Sequence, residues 1–379
     1  MQMVSALRVA KVVAVLICLA CVVTPFQAVH SSQVKEIQIG RSWPRSLAVD
    51  GVRGLAYTDA VSGIYPPTGF SFAVVNLSSN EVVRELPFQG VPGPMAIDGA
   101  TGRVYAAGST SIFVYDPAVG NFTARIEVGK TVSGIAFDSA TRMLYAAAGS
   151  GVLMLDPASG RVVRSAAAGG SPQGIAVDAR SGRVYVANYL SASVSVFSDK
   201  ELAPIATVHL PAGSYPSQLA VDDATGRLYV TTDRNKVEVV DGDTGELMGR
   251  FEVGVGRANG TYLIALDTVR NRLFVATEPG YLISEFDSRS GRLLGWFRLA
   301  STAYEIVVDG VTGELLASNY HQITVISPGY AGMDYAPEAA VTTISIASAV
   351  LLSYVFRMRS NTTGETRDGP PSQPRSGHS

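Results

Sequence analysis

The sequence predicts an all-β fold made of seven similar units, because three features recur together. In each unit a short apolar stretch ends in Asp, and four residues later six of the seven units carry Gly or Asn, which tolerate a positive φ angle. Seven residues after the Asp, six units carry an aromatic residue and the last carries Leu. The Asp residues recur every 40 to 48 residues, at Asp50, Asp98, Asp138, Asp178, Asp222, Asp267 and Asp309. This period is typical of β-propellers, with one blade per repeat, so we predict a seven-bladed β-propeller over residues 32–328.

The repeat around Asp178 illustrates the four strands expected in a blade. The predicted strands, from the innermost outwards, are 174–178, 184–188, 193–197 and 204–210. They are rich in β-branched residues, as strands are. The Asp is predicted to accept hydrogen bonds from N–H groups of the turn that it begins. Because the carboxylate recurs in every blade, we interpret it as part of the structure of the blade and assign no metal site to these residues.

The two ends of the repeat region predict how the ring closes. The last repeat contains only three strands, whereas an additional strand, residues 34–39, precedes the first repeat. Its ending, Glu36 to Gly40, resembles the end of an ordinary outer strand, Arg125 to Gly129. We therefore expect residues 34–39 to supply the outer strand of blade seven, which removes the exposed edge of an open ring.

The termini differ from the repeats. Residues 1–31 have a charged start and an apolar run of 12 residues, as in a secretory signal peptide; an uncleaved signal anchor and a lipidated Cys21 are alternatives. A linker, 329–338, precedes residues 339–356, which lack formal charges and predict a transmembrane helix, with a buried domain helix as the alternative. Arg357 and Arg359 place the disordered tail, 357–379, in the cytoplasm and the propeller outside the cell.

Three segments carry a resemblance to a known family. Tyr185–Asn188 (YVAN), Tyr229–Thr232 (YVTT) and Phe274–Thr277 (FVAT) are close to the motif Tyr-Val-Thr-Asn, and each follows a strand that ends in Asp. Over residues 33–327 the chain resembles the YVTN-type β-propeller repeat proteins, which are common on bacterial and archaeal surfaces. The resemblance implies the fold and an extracellular location, but propellers serve as binding modules and as enzymes alike.

Composition and motifs exclude several classes of function. The formal net charge is −2 and the repeats contain no dense run of Lys or Arg, which argues against a nucleic-acid partner. The four His residues are scattered, and the only two Cys residues lie in the first 25 positions. No zinc site, catalytic triad or phosphate-binding loop is predicted. We therefore predict no cofactor, no metal and no catalytic residue.

The positions that vary between repeats are the candidates for binding a ligand. They lie where innermost strands begin and where second strands connect to third strands, and the first of these connections is longer than the others. The candidates are Arg45, Tyr65, Gln173, Tyr189, Arg234, Tyr262, Glu278, Tyr304, Glu305 and His321. Solvated loop residues are the alternative interpretation. Three sequons predict glycosylation of loops in an exported domain, at Asn76, Asn121 and Asn259.

Three functional hypotheses remain. The first is a cell-surface module that binds a protein or a glycan and is held to the membrane by the C-terminal helix. The second is an extracytoplasmic lyase or hydrolase with its site at the axial mouth. The third is a structural component of a surface layer.

Overall fold

The computed structural model describes residues 34–40, 42–62, 69–233, 235–253, 261–277 and 282–327. The predicted signal segment (1–31), linker (329–338), transmembrane helix (339–356) and tail (357–379) lie outside these ranges. Within the described ranges, no helix is long and apolar enough to cross a membrane.

The described residues form seven antiparallel sheets of four strands, and each sheet is one blade. Strands are numbered β1 to β28 in chain order. The innermost strands of blades 1 to 7 are β2 (Ser42–Asp50), β6 (Pro92–Ile97), β10 (Val132–Phe137), β14 (Pro172–Asp178), β18 (Pro216–Asp222), β22 (Thr261–Asp267) and β26 (Glu305–Val308). The second strands are β3 (Leu55–Ser62), β7 (Val104–Gly108), β11 (Leu144–Ala148), β15 (Arg183–Asn188), β19 (Arg227–Thr232), β23 (Arg272–Thr277) and β27 (Leu315–Asn319).

The outer half of each blade consists of a third and a fourth strand. The third strands are β4 (Gly69–Asn76), β8 (Ser111–Asp116), β12 (Gly151–Asp156), β16 (Ser193–Ser198), β20 (Lys236–Asp241), β24 (Leu282–Asp287) and β28 (Gln322–Ile326). The outermost strands are β5 (Glu81–Pro87), β9 (Asn121–Glu127), β13 (Arg161–Ala167), β17 (Pro204–His209), β21 (Leu247–Glu252) and β25 (Leu293–Arg298), with β1 (Val34–Gln38) in blade 7.

The blades form a closed ring. Each innermost strand contacts the innermost strands of both neighbouring blades, and β26 of blade 7 contacts β2 of blade 1. The strand that precedes the first repeat, β1, pairs with β28, so the outer strand of blade 7 comes from the start of the propeller as predicted. The seven-bladed propeller predicted from the repeat is therefore confirmed.

The core lies between blades. The buried apolar side chains form seven clusters in the described part of the chain, and each cluster combines residues of two neighbouring blades. The recurring tyrosines belong to these clusters, and in blades 3, 4 and 5 their hydroxyls donate to carbonyls of the next blade. Tyr185 donates to Gly242 O at 3.0 Å and Tyr229 to Ser288 O at 3.0 Å. Each repeat needs its neighbours to bury its apolar faces and satisfy these polar groups.

The recurring Asp residues support turns, as predicted. Each of the seven accepts a hydrogen bond from a backbone N–H two or three residues later, and each residue is buried. The residue four after each Asp has a positive φ angle in all seven blades, including Arg142 at 62° and Asn271 at 54°. The turns therefore fix one end of every blade, which we name the lower rim. The opposite end, where innermost strands begin and second strands end, is the upper rim.

Candidate ligand-binding site

Blade 1 extends further at the upper rim than the other blades. Its innermost strand has nine residues and its next two strands have eight each, whereas the innermost strands of the other blades have four to seven. The extension places Trp43 opposite Val61 in the β2–β3 ladder. Trp43 is half-buried and lies beside blade 7.

Aromatic rings from blades 7 and 1 meet at this point. The ring centroids of Trp43 and Tyr320 are 4.9 Å apart, and Tyr304 lies 6.2 Å from Tyr320. His321 lies edge-on to Tyr320 at 5.7 Å and to Trp43 at 6.3 Å. Tyr320 is 44% exposed, so the rings are packed against one another and remain open to solvent. We name Trp43, Arg45, Tyr304, Tyr320 and His321 the seam cluster.

The backbone of the seam cluster is fixed by hydrogen bonds. The N–H of Tyr304 donates to Ser318 O at 2.8 Å, and the N–H of Tyr320 donates to Ser301 Oγ at 3.2 Å. His321 has a φ of 62°, in the left-handed region, and its carbonyl accepts the N–H of Ile39 at 2.7 Å. The strand that closes the ring therefore also holds the turn that carries two of the cluster's rings.

A buried carboxyl group, Asp59, lies next to the seam cluster. It is fully buried on β3 and accepts hydrogen bonds from Ser46 N at 2.9 Å and Ser46 Oγ at 2.5 Å. Burial raises the pKa of Asp59 to about 6, although these bonds and the nearby Arg45 favour the charged form. Asp59 is therefore poised to exchange a proton near neutral pH.

Glu305 is the second carboxyl group of this region. Its carboxylate accepts the N–H of Ile306 at 3.2 Å. Burial raises the pKa of Glu305 to about 7; Ile306 and the amide of Gln218 favour the charged form, whereas Asp59 adds to the rise. The side chain is nevertheless partly accessible to solvent. Glu305 begins the innermost strand β26, and the innermost strands of a propeller surround its central channel.

A second aromatic pair lies on the same rim, between blades 4 and 5. The ring centroids of Tyr189 and Tyr215 are 5.2 Å apart, and Tyr215 is 38% exposed. Tyr189 occupies the repeat position of Tyr320, eleven residues after the blade's Asp, and Tyr215 occupies that of Trp43, seven residues before it. The two pairs are therefore equivalent features of two different seams.

The structure brings four of the predicted ligand-binding residues to the blade 7–blade 1 seam. These are Arg45, Tyr304, Glu305 and His321, and Arg45 acts electrostatically on both Asp59 and Tyr304. Tyr189 lies at the blade 4–blade 5 seam, and Gln173 is half-buried on β14, where its Nε2 donates to Ser171 Oγ at 3.3 Å. The remaining candidates, which are Tyr65, Arg234, Glu278 and the side chain of Tyr262, lie outside the described residues.

The glycosylation candidates fall on turns and strand ends. Asn76 ends β4, and its Oδ1 accepts the N–H and the hydroxyl of Ser78. Asn121 begins β9 and is exposed. Asn259 lies outside the described residues. Both described sequons therefore lie away from the upper rim, between third and outer strands.

Sequence reasoning missed Trp43, Asp59, Tyr215 and Gln218. Asp59 had a detectable signal, because the residue nine after the recurring Asp is Ala, Thr or Ser in the other six repeats. Trp43 and Tyr215 stand seven residues before an Asp, and no other repeat has an aromatic residue there. Among the described residues, no group of three or more His, Cys, Asp or Glu side chains is placed to hold a metal ion.

Comparisons with known proteins do not indicate a function, so function is inferred from the candidate site. No protein-family model matches the chain, and no curated protein shows significant similarity to it. The fold is thus shown as a seven-bladed propeller, and the YVTN-type family remains a resemblance carried by the motifs of the sequence.

Proposed function

We propose that this protein is a membrane-anchored, extracytoplasmic binding module that takes a protein or a glycan of the cell surface at its upper rim. The observation that carries the proposal is the seam cluster. Ring faces that stay open to solvent beside a cation are favoured anchors in binding sites. The rim also varies from blade to blade, as a site on a repeated scaffold requires.

The proposed location rests on the termini. A secretory signal at residues 1–31 and a transmembrane helix at 339–356 leave the propeller outside the cell and the tail, 357–379, inside. Protease added to intact cells is then expected to degrade the propeller and spare a tag placed after Ser379. Protection of the propeller in intact cells, with digestion after lysis, would contradict this orientation.

Binding is tested on washed cell envelopes with the full-length protein. One portion of the envelopes is untreated, one is digested with protease and one is oxidised with periodate, which destroys vicinal diols of sugars. We expect the double variant W43A/Y320A to bind untreated envelopes at least about tenfold more weakly than the wild type. The control is Met248→Ala, since Met248 is 51% exposed on the outer strand β21.

The treated envelopes identify the kind of ligand. Loss of binding after protease treatment indicates a protein, and loss after periodate treatment indicates a glycan. Equal binding by the wild type and W43A/Y320A, with both proteins folded, would overturn the assignment of the ligand site to the seam cluster.

The carboxyl groups beside the cluster favour one alternative function. Asp59 and Glu305 interact electrostatically, with pKa values of about 6 and about 7. Glu305 is partly accessible and titrates around neutral pH, which suits a general acid or base, whereas Asp59 is fully buried and acts only through its charge on Glu305. A lyase or hydrolase would release reducing ends from a bound polysaccharide, and E305Q would abolish release while retaining binding. Binding without release of product supports the binding module.

A further inference from the structure

We propose that the upper rim binds an extended carbohydrate chain that lies across the mouth and stacks on both aromatic pairs. This inference rests on the proposed function and names its ligand class. The first pair is Trp43 with Tyr320, and the second is Tyr189 with Tyr215.

The two pairs occupy equivalent places, which makes them two copies of one type of subsite. In each pair, a residue eleven after one blade's Asp meets a residue seven before the next blade's Asp. Their ring planes are tilted similarly, by 50° and 39°. Equivalent subsites on one rim suit a ligand that repeats its own chemistry, as a polysaccharide does.

The position of the pairs in the ring favours one ligand that spans the mouth. Three blades (5, 6 and 7) separate the pairs in one direction and four blades (1 to 4) in the other. The pairs therefore lie on nearly opposite sides of the central channel. A compact ligand would reach one of them, whereas an extended chain reaches both.

The side chains around the channel favour hydroxyl-rich units. Ser133 is half-buried at the start of its innermost strand, and its hydroxyl donates to Pro172 O at 2.7 Å. Ser217 exchanges a hydrogen bond with the Thr231 hydroxyl at 3.0 Å, and Gln173 lies between these positions in the repeat order. Hydroxyl and amide groups that both donate and accept match sugar hydroxyls, while aromatic rings match the apolar faces of sugar rings.

Charge argues against a nucleic acid as the extended ligand. Carboxyl groups of Asp59 and Glu305 lie beside the seam cluster, and Arg45 is the cation that acts on Asp59 there. A phosphate backbone needs an excess of Lys and Arg along its path, whereas the chain as a whole has a formal net charge of −2. A neutral polymer needs no excess of Lys and Arg along its path.

The two tryptophans of the chain make the test direct. Trp43 and Trp296 are the only tryptophans, so the variant Trp296→Phe leaves Trp43 as the only tryptophan, and selective excitation of tryptophan then reports on the seam cluster. The full-length W296F protein is titrated with ladders of cello-, chito-, xylo- and malto-oligosaccharides of increasing length. We expect one ladder to change Trp43 emission, with an affinity that rises steeply once the chain is long enough to reach the second pair.

The second pair is tested in the same background. In Y189A/Y215A we expect the longest oligosaccharide to bind about tenfold more weakly and the shortest binding oligosaccharide to bind as before. In Y320A both are expected to weaken. Y189F/Y215F keeps the rings and is expected to bind like W296F, which controls for folding together with melting temperature.

Three outcomes would each contradict a different part of the proposal. An affinity independent of chain length, or an unchanged affinity in Y189A/Y215A, would overturn the spanning chain and leave a single glycan site at the seam cluster. Protease-sensitive binding to envelopes with no response to any oligosaccharide would overturn the carbohydrate and retain the binding module. Envelope binding unaffected by W43A/Y320A would overturn the proposed site itself.

Discussion

Ile37 of β1 lies opposite Ile323 of β28, and both side chains are fully buried. The contact joins the beginning of the propeller to its last blade. It also places Ile37 in the same apolar cluster as Leu47 and Ala56 of blade 1. One strand therefore completes blade 7 and the interface between blades 7 and 1.

Removing this strand is expected to destabilise the propeller strongly. Deletion of residues 32–40 would expose the edge of β28 and the cluster around Ile37. The milder variant Ile37→Ala is expected to lower the free energy of unfolding by about 2–5 kcal/mol, as buried large-to-small substitutions do. Val83→Ala is the matched control, because Val83 lies in the outer strand β5 and is 54% exposed. An unchanged melting temperature after the deletion would contradict the closure.

The architecture was predictable from the sequence because the repeat is a local signal. Strand order, the turn that follows each Asp and the location of β1 all follow from counting along the chain. The ligand region was predicted only in part, since Asp59 on β3 and Glu305 on β26 are far apart in sequence. Their proximity depends on the closure of blade 7 against blade 1, which no pattern within one repeat encodes.

Arg142 gives a prediction about the lower rim. Its guanidinium donates to both carboxylate oxygens of Asp98 in the neighbouring blade, at 2.8 and 2.6 Å. Burial raises the pKa of Asp98, but the bonds from Arg142 and Thr101 outweigh burial and hold the pKa below its usual value. The Asp98 side chain is fully buried. The ion pair therefore compensates a carboxylate that water does not reach.

Arg142→Gly is expected to destabilise the protein although glycine suits the turn. Glycine relieves the left-handed backbone by about 1 kcal/mol, whereas loss of bonds to a buried charge costs about 2–3 kcal/mol. Because the folded pKa of Asp98 is lowered, the lost stability is present above the unfolded pKa and fades as the pH falls through the folded pKa. Denaturant unfolding at pH 7 and in acid measures this difference.

Asn271 supplies the control for the Arg142 prediction. It occupies the same turn position in blade 6, with a φ of 54°. Asn271→Gly is expected to be neutral or slightly stabilising, since it relieves the backbone without removing an ion pair. A loss as large as that of Arg142→Gly would show that the backbone, and not the ion pair, decides the effect.

The carboxyl pair at the upper rim predicts how stability depends on pH. The pKa of Asp59 rises from 3.8 to about 6 and that of Glu305 from 4.5 to about 7. The folded protein therefore holds protons that the unfolded chain has released, so this contribution to stability is lost as the pH rises from about 4 to 7. For the fully buried Asp59 the difference corresponds to about 3 kcal/mol.

Asp59→Asn is expected to flatten that dependence. The variant should gain stability relative to the wild type between pH 5 and pH 8. The melting temperatures of both proteins, measured across this interval in one buffer series, provide the test. Parallel pH profiles for the two proteins would show that Asp59 does not hold a proton in the folded state. Ser46→Ala is a companion variant, because it removes the hydroxyl that donates to the Asp59 carboxylate.

Two buried glutamates in adjacent blades give opposite expectations. Glu238 in β20 is 2% exposed, and among the described residues its Oε2 has no hydrogen-bond partner. Burial raises the pKa of Glu238 and outweighs the nearby Arg250. Glu285 in β24 is 1% exposed, and burial raises its pKa as well, but Arg272 donates a hydrogen bond to its carboxylate and favours the charged form. A buried charge without a full set of partners is costly, whereas a paired one is costly to break.

Glu238→Gln is therefore expected to stabilise the protein and Glu285→Gln to destabilise it. Because the folded pKa of Glu238 is raised, its charged form penalises the folded state as the pH rises. The gain from the Gln variant should be present at pH 8 and disappear near pH 4. Removing the charge of Glu285 leaves the Arg272 guanidinium, whose side chain is 17% exposed, without its carboxylate. Chemical denaturation at pH 8 measures the change in the free energy of unfolding for both variants. Changes of the same sign would contradict the expected difference between Glu238 and Glu285.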